Sequence, residues 1–115
     1  MTTHSDDAAD GVVVLYTTWP DGAGAQTVAQ TMLDEKLIAC ANIFPAGRSV
    51  FCWEGEVRTE TETVALFKTS KARAGAARTR LTELHPYDEP CILALPADTD
   101  FSATGFVQWV ASETR

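Results

Sequence analysis

The stretch from Phe51 to Thr69, FCWEGEVRTETETVALFKT, constrains this chain most, because it reads as a strand too long for a compact body. Trp53-Glu54-Gly55 supplies a tight turn, glycine taking the positive φ that hairpin turns usually need. Beyond the turn Glu56, Arg58, Glu60 and Glu62 alternate with Val57, Thr59, Thr61 and Thr63, the period of two that puts charges on one face of a strand. From Val64 to Phe67 the sequence is continuously apolar, so the strand is expected to leave a solvated arm and enter a core covered on both sides. At ~3.3 Å per residue a strand from Glu54 to Thr69 would extend about 50 Å, whereas a compact chain of this size has a radius of gyration of about 13 Å. The outer half must project. A bare two-stranded ribbon is marginal in water and offers unpaired edges, so further copies of the chain are expected to cover it, with Trp53, Glu54 and Val57 at the contact and Trp53 as aromatic anchor.

With 115 residues of which 45% are hydrophobic, the chain fits one globular domain over 12–115. Residues 1–11 begin MTTHSDDAAD, which has three aspartates and no basic or apolar stretch; the expectation is a disordered acidic tail, no secretory signal and a cytoplasmic protein. No apolar run is long enough to span a membrane. The net charge of −7 argues against a nucleic-acid partner, since phosphate binding relies on Lys and Arg. It also fits attraction of cations, but many proteins are acidic for solubility alone, and that is the plainer reading. Cys40, Cys52 and Cys91 are odd in number and lack C-x-x-C spacing, so they read as reduced thiols.

Val12 to Thr18 is a β-branched apolar run, the mark of a central strand buried on both faces. Asp21 is placed to cap a helix whose stripe is Val28, Ala29, Met32, Leu33 and Leu37. Ile38 to Phe44 reads as a second strand, interrupted at Pro45-Ala46-Gly47 and resumed at Arg48 to Cys52. Ser70 is expected to cap a helix from Lys71 to about Leu84, ended by Pro86. Cys91 to Leu95 is another buried strand, and Thr104 to Thr114 a last amphipathic helix. The order β-α-β-β-α-β, then α, with right-handed crossovers, predicts an α+β ferredoxin-like sandwich with an antiparallel sheet in strand order 4-1-3-2 and both inner helices on one face.

Several blocks together resemble the CutA family of divalent-cation tolerance proteins: VVVLYTT with Trp19-Pro20-Asp21, Leu37 to Ile43, the Trp53-Glu54-Gly55 hairpin, Leu66-Phe67-Lys68-Thr69, and above all Glu83-Leu84-His85-Pro86-Tyr87-Asp88 leading to Pro90 and Leu95-Pro96. The resemblance covers about residues 12–114. It implies a ferredoxin-like fold assembled as a homotrimer through the long hairpins, and a non-enzymatic cytoplasmic protein linked to tolerance of copper and other divalent ions. The trimer is similar to that of PII signalling proteins, which bind small molecules between subunits. Some bacterial members carry a copper-associated cysteine at the place of Tyr16 and paired histidines at the places of Leu84 and His85. Here only the second histidine is present, and neither Tyr16 nor Leu84 can replace a soft or imidazole ligand.

His85 is the one histidine of the folded domain and sits at a helix C-terminus, where the dipole favours its protonated form. It reads either as a hydrogen-bonded loop histidine or as a metal ligand, with Glu89 and Cys91 near enough in sequence to assist. No H-x-x-x-H, C-x-x-C or carboxylate cage is present. Lys68 follows an apolar run and would be costly to bury unpaired; with Trp53, Tyr87 and His85 it could line a subunit cleft for an anionic or aromatic ligand, or simply emerge at the strand's end. Enzyme readings fare worse. The loop WPDGAGA lacks the arginine an acylphosphatase-like site would need, and no serine, cysteine or histidine constellation suggests nucleophilic catalysis.

Overall fold

A computed structural model describes residues 11–115; the acidic tail inferred over 1–11 lies, apart from Gly11, outside the described residues. Five strands and three helices follow one another as β1 (Val12–Trp19), α1 (Gly22–Asp34), β2 (Cys40–Ile43), β3 (Gly47–Trp53), β4 (Glu56–Ser70), α2 (Lys71–Leu84), β5 (Ile92–Pro96) and α3 (Thr104–Glu113). All pairings are antiparallel, the sheet order is β2-β4-β1-β5, and β3 continues along β4 beyond the main sheet. Counting β2 and β3 as one strand interrupted at Pro45–Gly47, the order is 4-1-3-2.

The alternation of β1 and β4 sets the two faces. Leu15, Thr17 and Trp19 pair with Phe67, Ala65 and Thr63, and all six are buried under α1 and α2, which contribute Ala25, Ala29, Met32, Ala77 and Leu81 to the same core. The opposite face carries Val14, Tyr16, Val64, Leu66 and Lys68, each only half-buried, and Leu93 and Leu95 of β5, exposed by 59% and 49%. Here the structure corrects the sequence. VVVLYTT and VALF were expected to be covered on both sides, but within one chain only α3 lies on the second face, packing Val110 against Val12 and Ala39 at one end.

Gly47↔Glu62 is the last pair of the β3–β4 ribbon and Trp19↔Thr63 the last of the β1–β4 ladder. From Glu62 outward β4 therefore has β3 as its sole neighbour, and the molecule measures 53 × 27 × 23 Å with a radius of gyration of 15.3 Å. Glu54 and Gly55 turn the ribbon with φ of 51° and 81°, the pair of left-handed residues that a two-residue type I′ loop requires. Trp53 and Val57 beside it are exposed by 52% and 78%.

Local capping departs from expectation once. Asp21 Oδ1 accepts the Gly24 N–H at 2.7 Å and caps α1, but Ser70 makes no side-chain cap to α2. Its hydroxyl instead accepts from the Thr114 hydroxyl at 2.9 Å, because α3 returns across that end of the sheet and buries both. Strand limits shift by one or two residues: Ile38 and Ala39 precede β2, Cys91 precedes β5, and Pro96 is the last residue of β5.

Candidate functional site

The loop that follows α2 folds back onto the end of β1. His85 is the C-cap of α2, and Pro86 forces it into an extended conformation that turns its ring inward, leaving it 7% exposed. The ring lies 4.1 Å from the Trp19 ring and 4.9 Å from that of Tyr87, centroid to centroid. Nε2–H donates to the Thr18 carbonyl oxygen at 2.8 Å, and Nδ1 accepts the Tyr87 N–H at 3.1 Å. A carbonyl only accepts and an amide only donates, so the ring is the neutral Nε2–H tautomer.

The environment follows from that geometry. Burial pushes His85 below the usual histidine range, against the Thr18 bond and the Glu62 charge. The expectation that a helix terminus would favour the cation is thus overturned, because desolvation of a stacked ring outweighs it. The Tyr87 hydroxyl donates to Glu62 Oε2 at 3.1 Å; burial first, then that carboxylate, pushes the phenol up to about 12. Burial, then the Glu62 charge, also raises the Cys91 thiol, and a bond with Thr18 opposes them. One loop thus links Thr18 and Trp19 of β1 to Glu62 of β4.

As a metal centre this arrangement does not fit. Both ring nitrogens of His85 are committed to backbone partners, and a metal needs a free lone pair. Among the described residues no group of three or more His, Cys, Asp or Glu side chains could hold an ion, so His85, Glu89 and Cys91 do not form the set that their sequence spacing allowed. Leu84 packs against the core. Tyr16 lies on the face of β1 opposite Trp19, against which His85 stacks.

Lys68 is also separate from the loop. It pairs with Val14 and Cys40 on the open face of the sheet, and its ammonium lies 5.4 Å from the centroid of the Phe106 ring. Burial raises the neighbouring Cys40 thiol, opposed by the Lys68 charge. Trp53, the last residue of β3, pairs with Glu56 at the far end of β4, about 40 Å along the strand from Lys68 at ordinary rise. A cleft combining Lys68, Trp53, Tyr87 and His85 therefore does not exist within one chain. Sequence reasoning missed Trp19, Thr18 and Glu62 as partners of the loop; the one available signal was a tryptophan ending a buried strand immediately before Pro20.

The comparisons agree with this architecture. A family model described as CutA1 divalent ion tolerance protein matches residues 13–113. The divalent-cation tolerance protein CutA of Pyrococcus horikoshii is 36% identical over 104 residues, covering 90% of this chain and 99% of that protein. Its counterpart in Pectobacterium atrosepticum is 39% identical over 106 residues, covering 92% and 94%. Among solved structures, that described as the periplasmic divalent cation tolerance protein CutA from Archaeoglobus fulgidus superposes with a TM-score of 0.84 at 31% identity, covering 90% of this chain and 99% of its own. The chain belongs to the CutA1 divalent ion tolerance protein family.

Proposed function

We propose that this protein serves tolerance of divalent cations as a cytoplasmic homotrimer, without catalytic turnover, and that it associates with ions such as copper weakly rather than in a built centre. The commitment of both His85 ring nitrogens to Thr18 and Tyr87 carries the reading. It leaves ion association to exposed carboxylates and to places formed between subunits, in a chain with a net charge of −7. Support for assembly comes from the half-open apolar sheet face and from Trp53, Glu54 and Val57 on the projecting hairpin. The cysteines are free thiols, which suits a reducing compartment, and no helix among the described residues is long and apolar enough to cross a membrane.

Calorimetric titration of metal-free, reduced protein with copper and with zinc, beside His85→Gln, tests the metal reading. The expected trace is shallow and the same in both proteins. A tight stoichiometric isotherm lost in the variant would overturn it and restore His85 as a ligand.

A second reading has its own support. Lys68 makes no ion pair among the described residues and faces the aromatic ring of Phe106 on a surface that assembly would cover. A PII-like subunit cleft, with Lys68 of one copy and Trp53 or Tyr87 of others, would suit a small anionic ligand. Binding of such a ligand, lost with Lys68→Met and indifferent to chelators, is the result that would favour this reading.

A further inference from the structure

Helix α3 has two flanks besides the side it buries. Phe106 and Trp109 lie on the one that continues the open sheet face, with the Phe106 ring over Lys68. Thr104, Val107, Gln108 and Ala111 recur at three, one and three residues and so fall on the opposite flank, turned away from that face. The loop after β5 stands against this second flank, and the two enclose a half-open cavity of about 580 Å³, within the range of small-molecule pockets. Its floor is apolar, Ala111 being buried and Val107 half-buried. Its loop wall is fixed, because the Asp98 carboxylate accepts the Asp100 N–H at 3.1 Å and the Asp98 carbonyl accepts the Phe101 N–H and the Ser102 hydroxyl at 3.2 and 2.7 Å.

The polar groups around this cavity are uncommitted. Exposed hydroxyls elsewhere on the helices, those of Thr27, Thr31, Thr82 and Ser112, return to a carbonyl one turn back, but Thr104 opens its helix and has no helical carbonyl behind it. Asp100 and Arg115, opposite in charge, line the same cavity and make no ion pair among the described residues. A simple anion would be repelled by Asp100 and by the net charge of −7, and a simple cation by Arg115. A ligand that carries both signs suits both. We propose that this cavity binds a small zwitterion, a free amino acid or a short peptide. Asp100 holds its ammonium and Arg115 its carboxylate, the latter as a planar fork matched to two oxygens. Gln108 and Thr104 face its amide or polar side chain, and Val107 and Ala111 lie beneath its methylene groups. The site uses neither His85 nor Lys68.

Calorimetric titration of the full chain in its native assembly with glycine, glutamine and glycylglycine tests this, each compound beside its N-acetylated and its C-amidated form. The expected result is saturable binding of the free compound that weakens roughly tenfold in Arg115→Gln and in Asp100→Asn, as loss of a hydrogen bond between charged groups implies. The C-amidated form should bind the wild type about as weakly as the free form binds Arg115→Gln, and lose nothing further in that variant. The N-acetylated form should stand in the same relation to Asp100→Asn. Both residues are exposed, so both variants should keep the wild-type circular dichroism. Tighter binding of glycylglycine would assign the site to peptides, and tighter binding of glycine or glutamine to free amino acids. His85→Gln and Lys68→Met should leave the affinity unchanged, which separates this site from the metal and subunit-cleft readings. No saturable heat from any of the three compounds up to about 10 mM, or an affinity that neither Arg115→Gln nor Asp100→Asn alters, would overturn the site.

Discussion

The Trp19 indole donates its Nε1–H to the Thr17 hydroxyl at 2.6 Å, two residues back along the same strand. The Thr17 hydroxyl passes its own proton to the Ala65 carbonyl at 2.7 Å, so one fully buried hydroxyl satisfies a donor and an acceptor. Thr17→Val keeps the shape and removes the oxygen, leaving the indole N–H without its partner. The expected cost is about 1–3 kcal/mol, read as a lower denaturant midpoint at unchanged m-value, while Thr17→Ser retains most of the stability. A valine variant as stable as the serine variant would show that the indole finds another acceptor.

His85 makes stability depend on pH in a stated direction. Its folded-state pKa lies below the ordinary 6.5, so between the two values the unfolded chain binds a proton that the folded chain refuses. Stability is therefore full above about pH 6.5 and falls as pH drops toward the folded value, below which both states are protonated and the loss stops growing. Protonation also places a second N–H against the Tyr87 amide in place of an acceptor. Denaturant midpoints between pH 5 and pH 8 should fall on the acid side in the wild type and flatten in His85→Gln. An equal slope in both would assign the effect to other groups.

The core of the sandwich also yields a magnitude. Phe67 is fully buried, its ring 5.9 Å from that of Trp19. Phe67→Ala should cost about 3–5 kcal/mol, the transfer loss and the cavity adding together, and chemical denaturation would measure it. A cost under 1 kcal/mol would mean that α1 or α2 collapses into the space.

The periods of the sequence carried the fold well, and they carried the site poorly. Alternation over Glu56 to Thr63 located the projecting arm as a strand, although both faces of residues 56–61 are exposed within one chain, and the stripe Ala29–Met32 located α1 by the side it buries. The run Val64 to Phe67 misled for a physical reason: successive residues face opposite sides of the sheet, and α1 and α2 cover only the side of Ala65 and Phe67, leaving Val64 and Leu66 half-open. The loop was legible only as a block of unusual residues. His85 is held by a backbone carbonyl at Thr18, and backbone acceptors leave no trace in side-chain identity. Glu62 looked like one more charge on a solvated face, and its selection by Tyr87 depends on where β1 happens to end. Ser70 has the composition of a cap, but Thr114, far along the chain, claimed its hydroxyl.

The hairpin turn offers a substitution that should stabilise. Glu54 holds φ of 51° and Gly55 φ of 81°; glycine bears this freely, and a glutamate does not. Glu54→Asn, giving the Asn-Gly pair that type I′ loops prefer, should gain about 0.5 kcal/mol, and Gly55→Ala should lose about 1 kcal/mol. Exchange protection of the β3 and β4 amides would rise in the first and fall in the second. Opposite signs would mean that contacts made by the tip in the assembly govern its backbone.

The open face of the sheet makes the sharpest claim about assembly. Leu93 and Leu95 stand beside Tyr16 and Val14 across the β1–β5 ladder, and Leu66 continues the row on β4. Apolar side chains in such contiguity, outside any core, mark a surface that another protein covers. Light scattering of the wild type should give about three times the chain mass of 12.4 kDa. Leu93→Glu places a charge in the middle of that row, where burial would leave it unpaired, and its penalty falls on the associated state alone. The variant should therefore shift toward the single-chain mass and keep its far-ultraviolet circular dichroism. A variant that stays trimeric would move the contact away from this face and onto the hairpins, and a wild type that scatters as one chain would remove the assembly altogether.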